Sequence, residues 1–231
     1  MATENQLKQL TERLREYKRK YLRKEFSKLD EADTRIMVNH FLNQILGYKE
    51  LEEIKTEYRI RSEYADYVIQ VQRKKHFVVE VKSIDIDINE HHLRQSLSYA
   101  ANEGIDWILL TNGREIQLFR VNFGKPITTT LIYKVNLLDA EDFKKAPEQI
   151  WYLTKASIGH GELESFSKRS DALQLEHLAK VLYCEEVVKQ LRTELRNETG
   201  IFFQLDDVAH SLFELITQAV EVRPKLRKSK R

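Results

Sequence analysis

Several features that would narrow the class of this protein are scarce or missing in its 231 residues. Cys184 is the only cysteine, so no disulfide can form within the chain. No apolar run approaches eighteen residues, and the N-terminal segment is polar and mixed in charge, so neither a secretory signal nor a membrane span is expected. These absences predict a soluble, cytoplasmic protein of a reducing compartment that has no membrane partner.

An excess of charge of one sign is also missing. The 38 basic and 36 acidic residues leave a net charge of +2, which by itself does not indicate a nucleic-acid-binding protein. The basic residues are nevertheless clustered, as YKRKYLRK (17–24), QRKKH (72–76) and RPKLRKSKR (223–231). Each cluster is either a solvated surface or a contact for phosphate groups, and the pattern leaves both open.

The pattern of apolar residues divides the chain into three regions. In region 1–29 an amphipathic helix is predicted from residue 5, with an apolar stripe of Leu7, Leu10, Leu14, Tyr17 and Tyr21. A stripe this short favours packing on its own domain over a coiled-coil dimer. Region 157–231 is predicted to hold a polar linker (157–170) and two helices, at about 171–197 and 206–221, with Cys184 as a packing residue of the first.

Region 30–156 predicts an α/β domain. A helix capped by Asp30 or Asp33 and stopped by Gly47 comes first, with an apolar face of Ile36, Phe41, Leu42 and Ile45. A second helix, capped by Asn89 and stopped by Gly104, separates two groups of strands. The strands are predicted at 54–60, 65–72, 76–83, 106–112 and 115–121, with turns at 73–75 and at Asn112-Gly113, and with an edge strand at 128–135. The predicted fold class is therefore a mixed sheet flanked by helices.

The stretch FVVEVKSIDI (77–86) holds the charged residues that most require an explanation. Glu80 and Lys82 share one face of a strand that otherwise reads as buried, and Asp66 belongs to the preceding strand. If the two strands form a hairpin, both carboxylates reach the same end of the sheet, where they could hold Mg²⁺ or Mn²⁺. Lys82 could then orient a water or balance charge. The alternative is a Glu–Lys pair on an edge strand, exposed to water.

The segment from Glu31 to about Val121 resembles the PD-(D/E)XK nuclease superfamily and, within it, the N-terminal nuclease domain of type I restriction enzyme R subunits. The resemblance rests on EADTR (31–35), LGY (46–48), EYRI (57–60), ADY (65–67), VEVK (79–82), QSLSYA (95–100) and LLTNG (109–113). It implies a restriction-endonuclease-like fold and a Mg²⁺- or Mn²⁺-dependent endonuclease acting on DNA.

The resemblance also implies roles for single residues. Asp66 and Glu80 match the metal ligands, Lys82 matches the catalytic lysine, and Glu31 matches an acid that often joins the metal site. Gln95 and Tyr99 match a motif that supports the active site or DNA contact. Nucleic-acid contacts are expected at Arg35, Lys74, Lys75 and Gln95.

Helical geometry supports part of this assignment, because Gln95 and Tyr99 lie four residues apart and share a face. Without the resemblance they would be ordinary boundary residues. The neighbouring His91 and His92 point about 100° apart on a helix, which does not suit the binding of one metal ion.

Two departures from the family pattern qualify the prediction. Ala65 stands where the motif has its proline, which is not a metal ligand. The chain also lacks the G-x-x-x-x-G-K-[ST] phosphate loop, so ATP-driven translocation is not expected of it.

Three functions remain open at this point. The first is a metal-dependent nuclease, and the second is a catalytically silent nuclease fold that binds DNA or a protein partner. The small net charge favours the second, since phosphate binding usually leaves a larger basic excess. The third is a helical scaffold that forms a homodimer, or joins a partner subunit, through its terminal helices.

Overall fold

A computed structural model describes residues 2–60 and 63–219, which divide into two compact units between Ser165 and Phe166. The α-helices are α1 (Glu4–Tyr21), α2 (Glu31–His40), α3 (Arg94–Glu103), α4 (Ala140–Trp151), α5 (Lys155–Gly159), α6 (Glu162–Ala172), α7 (Leu175–Leu182), α8 (Glu185–Thr199) and α9 (Leu205–Ala219). The strands are β1 (Ile54–Ile60), β2 (Glu63–Val71), β3 (Lys74–Val81), β4 (Trp107–Thr111), β5 (Glu115–Asn122) and β6 (Thr128–Asn136). The basic tail at 223–231 lies outside the described residues.

The six strands form one sheet in sequence order. All neighbouring strands are antiparallel except β3 and β4, which run parallel because α3 connects them. The predicted edge strand is present as β6, at one edge of the sheet. This mixed sheet with flanking helices confirms the predicted fold class.

The sheet packs a core against α3. Val68, Val78 and Ile108 on the sheet contact Leu93 and Tyr99 from the helical segment, and all five are buried. Asn89 caps this segment, which opens with a 3₁₀ turn (Glu90–Leu93), and Gly104 ends it in the left-handed conformation at φ 65°. Both termini are those that the sequence predicts, because they depend on local chemistry alone.

Helix α1 packs on the same unit as the sheet. Its stripe residues Leu10, Leu14 and Tyr17 are buried, and the Tyr17 hydroxyl donates a 2.9 Å hydrogen bond to the Gly113 carbonyl in the turn between β4 and β5. The helix ends at Tyr21, earlier than predicted, and a short 3₁₀ turn (Lys24–Phe26) follows. No glycine or proline marks this end in the sequence, so pattern alone extends the helix too far.

Helix α2 also departs in part from the prediction. Asp30 caps it by accepting from the Asp33 amide at 2.8 Å, as one of the two expected caps. Ile36, expected on the apolar face, is 68% exposed. The buried face instead contains Thr34, Met37 and Val38, and it continues into a π-helical turn (Phe41–Ile45). Ile36 does not lie on this face of the helix.

The second unit contains a separate helical core. Val188 of α8 packs with Ala179 of α7 and with Val208 and Leu212 of α9. The first helix predicted here, at 171–197, covers the end of α6 and then α7 and most of α8, because the chain also breaks at 173–174 and at 183–184. Cys184 is the N-cap residue of α8. The stretch 157–170, predicted as a linker, lies largely within α5 and α6. Among the described residues no helix is long and apolar enough to cross a bilayer.

Candidate active site

The hairpin of β2 and β3 brings two carboxylates to the same end of the sheet. Tyr67 pairs with Val79 in the antiparallel register, so the next residues along the hairpin are Asp66 and Glu80. The side chain of Asp66 is 11% exposed, and its Oδ2 accepts a 2.7 Å hydrogen bond from the Val81 amide. A side chain of β2 is thus fixed directly to the backbone of β3, beside Glu80.

Glu80 is almost fully buried, at 4% exposure. Lys82 donates to Oε1 at 2.6 Å, and the Ser96 hydroxyl on α3 donates to Oε2. Burial raises the pKa of Glu80 above its ordinary value, although the bonds from Lys82 and Ser96 act in the opposite direction. The nearby charge of Asp66 raises the pKa of Glu80 further. Two carboxylates that repel each other in this way are suited to sharing a cation.

Lys82 lies directly after β3 and contacts two acids. Its Nζ is 2.6 Å from Oε1 of Glu80 and 3.8 Å from Oε2 of Glu31. Burial alone would lower the pKa of Lys82, but the bond to Glu80 and the charges of Glu80, Glu31 and Asp66 raise it. The ammonium group is therefore held in its charged form at the end of the strand.

Arg35 joins the helix α2 to the strands. Its Nη2 lies 2.6 Å from Oε1 of Glu31, one turn earlier on α2, and its Nε donates to Oδ1 of Asp66 at 2.8 Å. The Tyr67 hydroxyl donates to the Arg35 carbonyl at 2.8 Å and so fixes α2 to β2. Burial works to lower the pKa of Arg35, and the attraction of Asp66 and Glu31 outweighs it and raises the pKa. The guanidinium consequently neutralises part of the acidic charge of the site.

The donor set fits a hard divalent cation held by two carboxylates. Within residues 2–60 and 63–219 no group of three His, Cys, Asp or Glu side chains has the arrangement of a metal site. Mg²⁺, however, is usually bound through one or two carboxylates, with waters and substrate phosphates completing its shell. Asp66 and Glu80 supply such a pair, and Arg35 forms ion pairs with both Asp66 and Glu31.

An open cleft of about 710 Å³ lies beside Glu80, and Asp66 is not part of its lining. It is lined by Glu80 and Lys82 from the strand end and by His91, His92, Arg94 and Gln95 from the helical segment. His92 accepts a 3.1 Å bond from the Asn89 amide and so takes part in capping, which agrees with a helix-start role for the histidines. The exposed Gln95 is the member of the Gln–Tyr pair that reaches the cleft.

Other predicted residues lie away from this cleft. Tyr99 is fully buried in the core between α3 and the sheet, below Lys75, whose Nζ is 6.0 Å from its ring centre. Lys75 forms a salt bridge with Glu103, and Lys74 is the first residue of β3. At about 3.3 Å per strand residue, Lys74 is about 20 Å along β3 from Glu80. Arg35 is thus the predicted basic contact that the fold places in the carboxylate cluster.

Sequence reasoning missed Ser96 and the bridging position of Arg35. Ser96 shares the buried side of α3 with Tyr99 and Ala100, and a small polar residue inside an apolar stripe is the signal that marks it. Arg35 lies four residues after Glu31, the spacing of a helical ion pair, which is also visible in the sequence. Its second partner, Asp66, depends on how α2 packs against β2 and has no local signature.

Comparison with known proteins agrees with the motifs. Residues 30–132 match the family described as type I restriction enzyme R protein N terminus. No curated protein and no solved structure matches the chain. The matched segment begins at the cap of α2 and ends within β6, so it contains the carboxylate cluster, Lys82 and α3. Residues 30–132 are therefore similar to the N terminus of type I restriction enzyme R proteins, the relationship that the motifs predict.

Proposed function

We propose that this protein is a divalent-metal-dependent endonuclease that hydrolyses phosphodiester bonds of DNA. The observation that carries the proposal is the convergence of Asp66, Glu80 and Lys82 at one end of β2 and β3, beside an open cleft. The family match supports a restriction-enzyme-related module of this kind. A bound Mg²⁺ or Mn²⁺ would supply Lewis-acid activation of water and stabilisation of negative charge.

Each residue of the cluster has a distinct role in this proposal. Asp66 and Glu80 hold the cation, and the Ser96 hydroxyl fixes the orientation of the Glu80 carboxylate. Lys82 faces the cleft with its ammonium charged, where it can orient the attacking water and stabilise charge that develops on the phosphate. Gln95, at the rim of the same cleft, contacts the substrate backbone.

A second candidate function is supported by Arg35. Its guanidinium already neutralises Glu31 and Asp66, as a bound cation would, so the cluster is satisfied by the protein's own charges. This arrangement suits a nuclease fold that binds DNA, or a protein partner, without cleaving it.

Metal binding and DNA cleavage together separate the two candidates. Calorimetric titration with Mn²⁺ should detect binding that Glu80→Gln weakens strongly, and nicking of supercoiled plasmid in Mg²⁺ should be abolished by Lys82→Ala. Asp85→Asn is the matched control, because Asp85 is an exposed acid only three residues after Lys82 and should leave both measurements unchanged.

Absence of Mn²⁺ binding at millimolar concentration would overturn the nuclease proposal. Retained DNA binding in that case would support the silent module. Nicking by the purified wild type that persists in Lys82→Ala would show that the activity comes from another site or a contaminant.

A further inference from the structure

A second cleft, formed by α1 and the end of α2, is strongly basic. It has a volume of about 590 Å³, and its charged lining consists of Arg13, Arg19, Lys20 and Arg23 with one acid, Glu16. His40 also lines it. Burial and the nearby Lys20 lower the pKa of His40, although Glu50 acts against them, so the arginines and the lysine supply the positive charge. We refer to this feature as the α1 cleft.

The four cations of the α1 cleft have no ion-pair partner among the described residues, although Glu16 lies in the same cleft and Lys20 lies 4.9 Å from the ring centre of Tyr21. In the part of the chain that the structure describes, none of them forms an ion pair, whereas exposed lysines elsewhere, such as Lys49 and Lys144, pair with nearby glutamates. Arg23 folds back on α1 by donating from Nε to the Arg19 carbonyl at 2.7 Å, which keeps two guanidinium groups one turn apart. Two like charges held this close repel each other, and an external anion would relieve the repulsion.

The α1 cleft borders the end of the sheet that carries the active-site cluster. Tyr17, one of its lining residues, donates to the Gly113 carbonyl just beyond the end of β4. Lys82 follows β3, which runs parallel to β4, and its amide donates to the Thr111 carbonyl at 2.9 Å. Helix α2 carries Glu31 as its first residue and His40 as its last, and these two are about 14 Å apart along the helix axis.

We infer that the α1 cleft binds the phosphate backbone of a nucleic acid, as an anchoring site separate from the proposed site of hydrolysis. The inference rests on the proposed function, in that the anchored polymer is the substrate. The spacing favours a polymer over a single anion, because Arg13 and Lys20 are seven residues apart on α1 and thus span about 10 Å of helix, with Arg23 beyond its end. Duplex DNA presents several phosphates over that length.

The test is binding of a fluorescent DNA duplex to the full chain in EDTA, where hydrolysis cannot contribute. Replacing Arg13, Arg19, Lys20 and Arg23 together with glutamine should weaken binding at least tenfold. It should also reduce the slope of log K against log salt by about 0.9 for each phosphate that the variant no longer neutralises. The matched control replaces Lys49, Lys125, Lys144 and Lys180, four exposed lysines on separate segments, and carries the same net charge.

A second measurement uses the wild type and so does not depend on folding of a variant. Saturating duplex should protect Lys20 from an amine-acetylating reagent, measured by mass spectrometry, and should leave Lys125 unprotected. Equal losses in the cleft and control variants, no DNA binding by the wild type, or unprotected Lys20 would overturn the inference. Tighter binding of the cleft to phosphatidylserine vesicles than to duplex would overturn it as well.

These outcomes are independent of cleavage. A chain that binds DNA through the α1 cleft but does not nick plasmid refutes the proposed hydrolysis and leaves the anchoring site intact. If the wild type nicks plasmid and the α1-cleft variant binds DNA with unchanged affinity, the anchoring site alone is refuted.

Discussion

The Ser96 hydroxyl donates a hydrogen bond to Oε2 of Glu80, across the interface between α3 and β3. The two residues lie sixteen positions apart in the sequence, and both are buried. Because Lys82 holds the other oxygen, Glu80 has a donor on each oxygen and little freedom to rotate. A proposed metal ligand is thus oriented by a helix residue that itself lies outside the cleft lining.

Ser96→Ala should weaken Mn²⁺ binding and nicking by about 10- to 100-fold, the usual effect of removing a group that orients a metal ligand. The loss should appear in calorimetry and in plasmid nicking. Ser98→Ala is the control, since Ser98 lines the cleft on the same helix and should change neither value by more than a few-fold. Equal effects of the two substitutions would contradict an orienting role for Ser96.

Arg35→Gln should strengthen Mn²⁺ binding by about fivefold, the equivalent of the ~1 kcal/mol that a partly exposed ion pair contributes. The physical reason is competition, because the guanidinium occupies Oδ1 of Asp66 and Oε1 of Glu31. Calorimetric titration measures the change, with Arg94→Gln as the control from the cleft rim. Weaker Mn²⁺ binding in Arg35→Gln, with the fold retained, would mean that Arg35 positions Asp66 for the metal.

Gly113→Ala should lower the free energy of unfolding by about 2–5 kcal/mol, from a strained backbone and overpacking together. Gly113 has φ 79°, and an added Cβ would lie 1.8 Å from the Met37 methyl carbon and 3.3 Å from the Tyr17 hydroxyl. Gly104→Ala separates the two causes. Gly104 also has a positive φ but no atom within 4 Å of an added Cβ, so the expected cost is about 1–2 kcal/mol. Urea denaturation that gave equal losses would exclude the steric contribution.

Tyr17→Phe should cost about 1–3 kcal/mol at neutral pH, because it leaves the buried Gly113 carbonyl without its 2.9 Å donor. Burial raises the pKa of Tyr17 far above its usual value, and Tyr21 raises it further. The folded state therefore favours the neutral phenol. The contribution of Tyr17 to the free energy of unfolding is fully present below about pH 10, the pKa of tyrosine in the unfolded chain. It is lost as the pH rises above that value, because the unfolded chain then releases the phenol proton and the folded chain does not.

The stability difference between wild type and Tyr17→Phe should consequently narrow above pH 10. Burial also raises the pKa of Tyr48 and Tyr133, but both proteins contain these residues, so their effects cancel in the difference. Urea denaturation from pH 7 to 11 measures it. A constant difference across this range would contradict the assignment.

The sequence predicted the elements whose ends are determined locally. Asn89, Gly104 and Asp30 end or begin their helices through their own side chains or backbone freedom. Alternating residues, apolar runs and turn signals predicted all six strands. The end of α1 at Tyr21 and the break at Cys184 carry no such local signal.

Some contacts of the candidate site likewise follow from local sequence, and others depend on how the helices pack on the sheet. Asp66, Glu80 and Lys82 could be predicted together because the hairpin register follows from two adjacent strands and a short turn. That turn consists of Gln72 and Arg73, both at positive φ, one residue earlier than expected. The contact between Arg35 and Asp66 requires the docking of α2 on β2, and that between Ser96 and Glu80 requires the docking of α3 on β3. Neither contact could be read from periodicity.

The hydrogen bond from the Val81 amide to Oδ2 of Asp66 has a consequence for mutagenesis of this site. Through this bond the Asp66 side chain adds a hydrogen bond between β2 and β3, in addition to its proposed role as a metal ligand. Alanine at this position would remove the hydrogen bond to Val81 and the negative charge together. An inactive Asp66→Ala protein would therefore not show whether the strand pairing or the metal ligand had been lost. Asparagine retains an oxygen that can accept from Val81, and it loses the negative charge together with the acceptor that faces Arg35. Asp66→Asn is therefore the substitution that tests the charge of Asp66 while the bond between the two strands is retained.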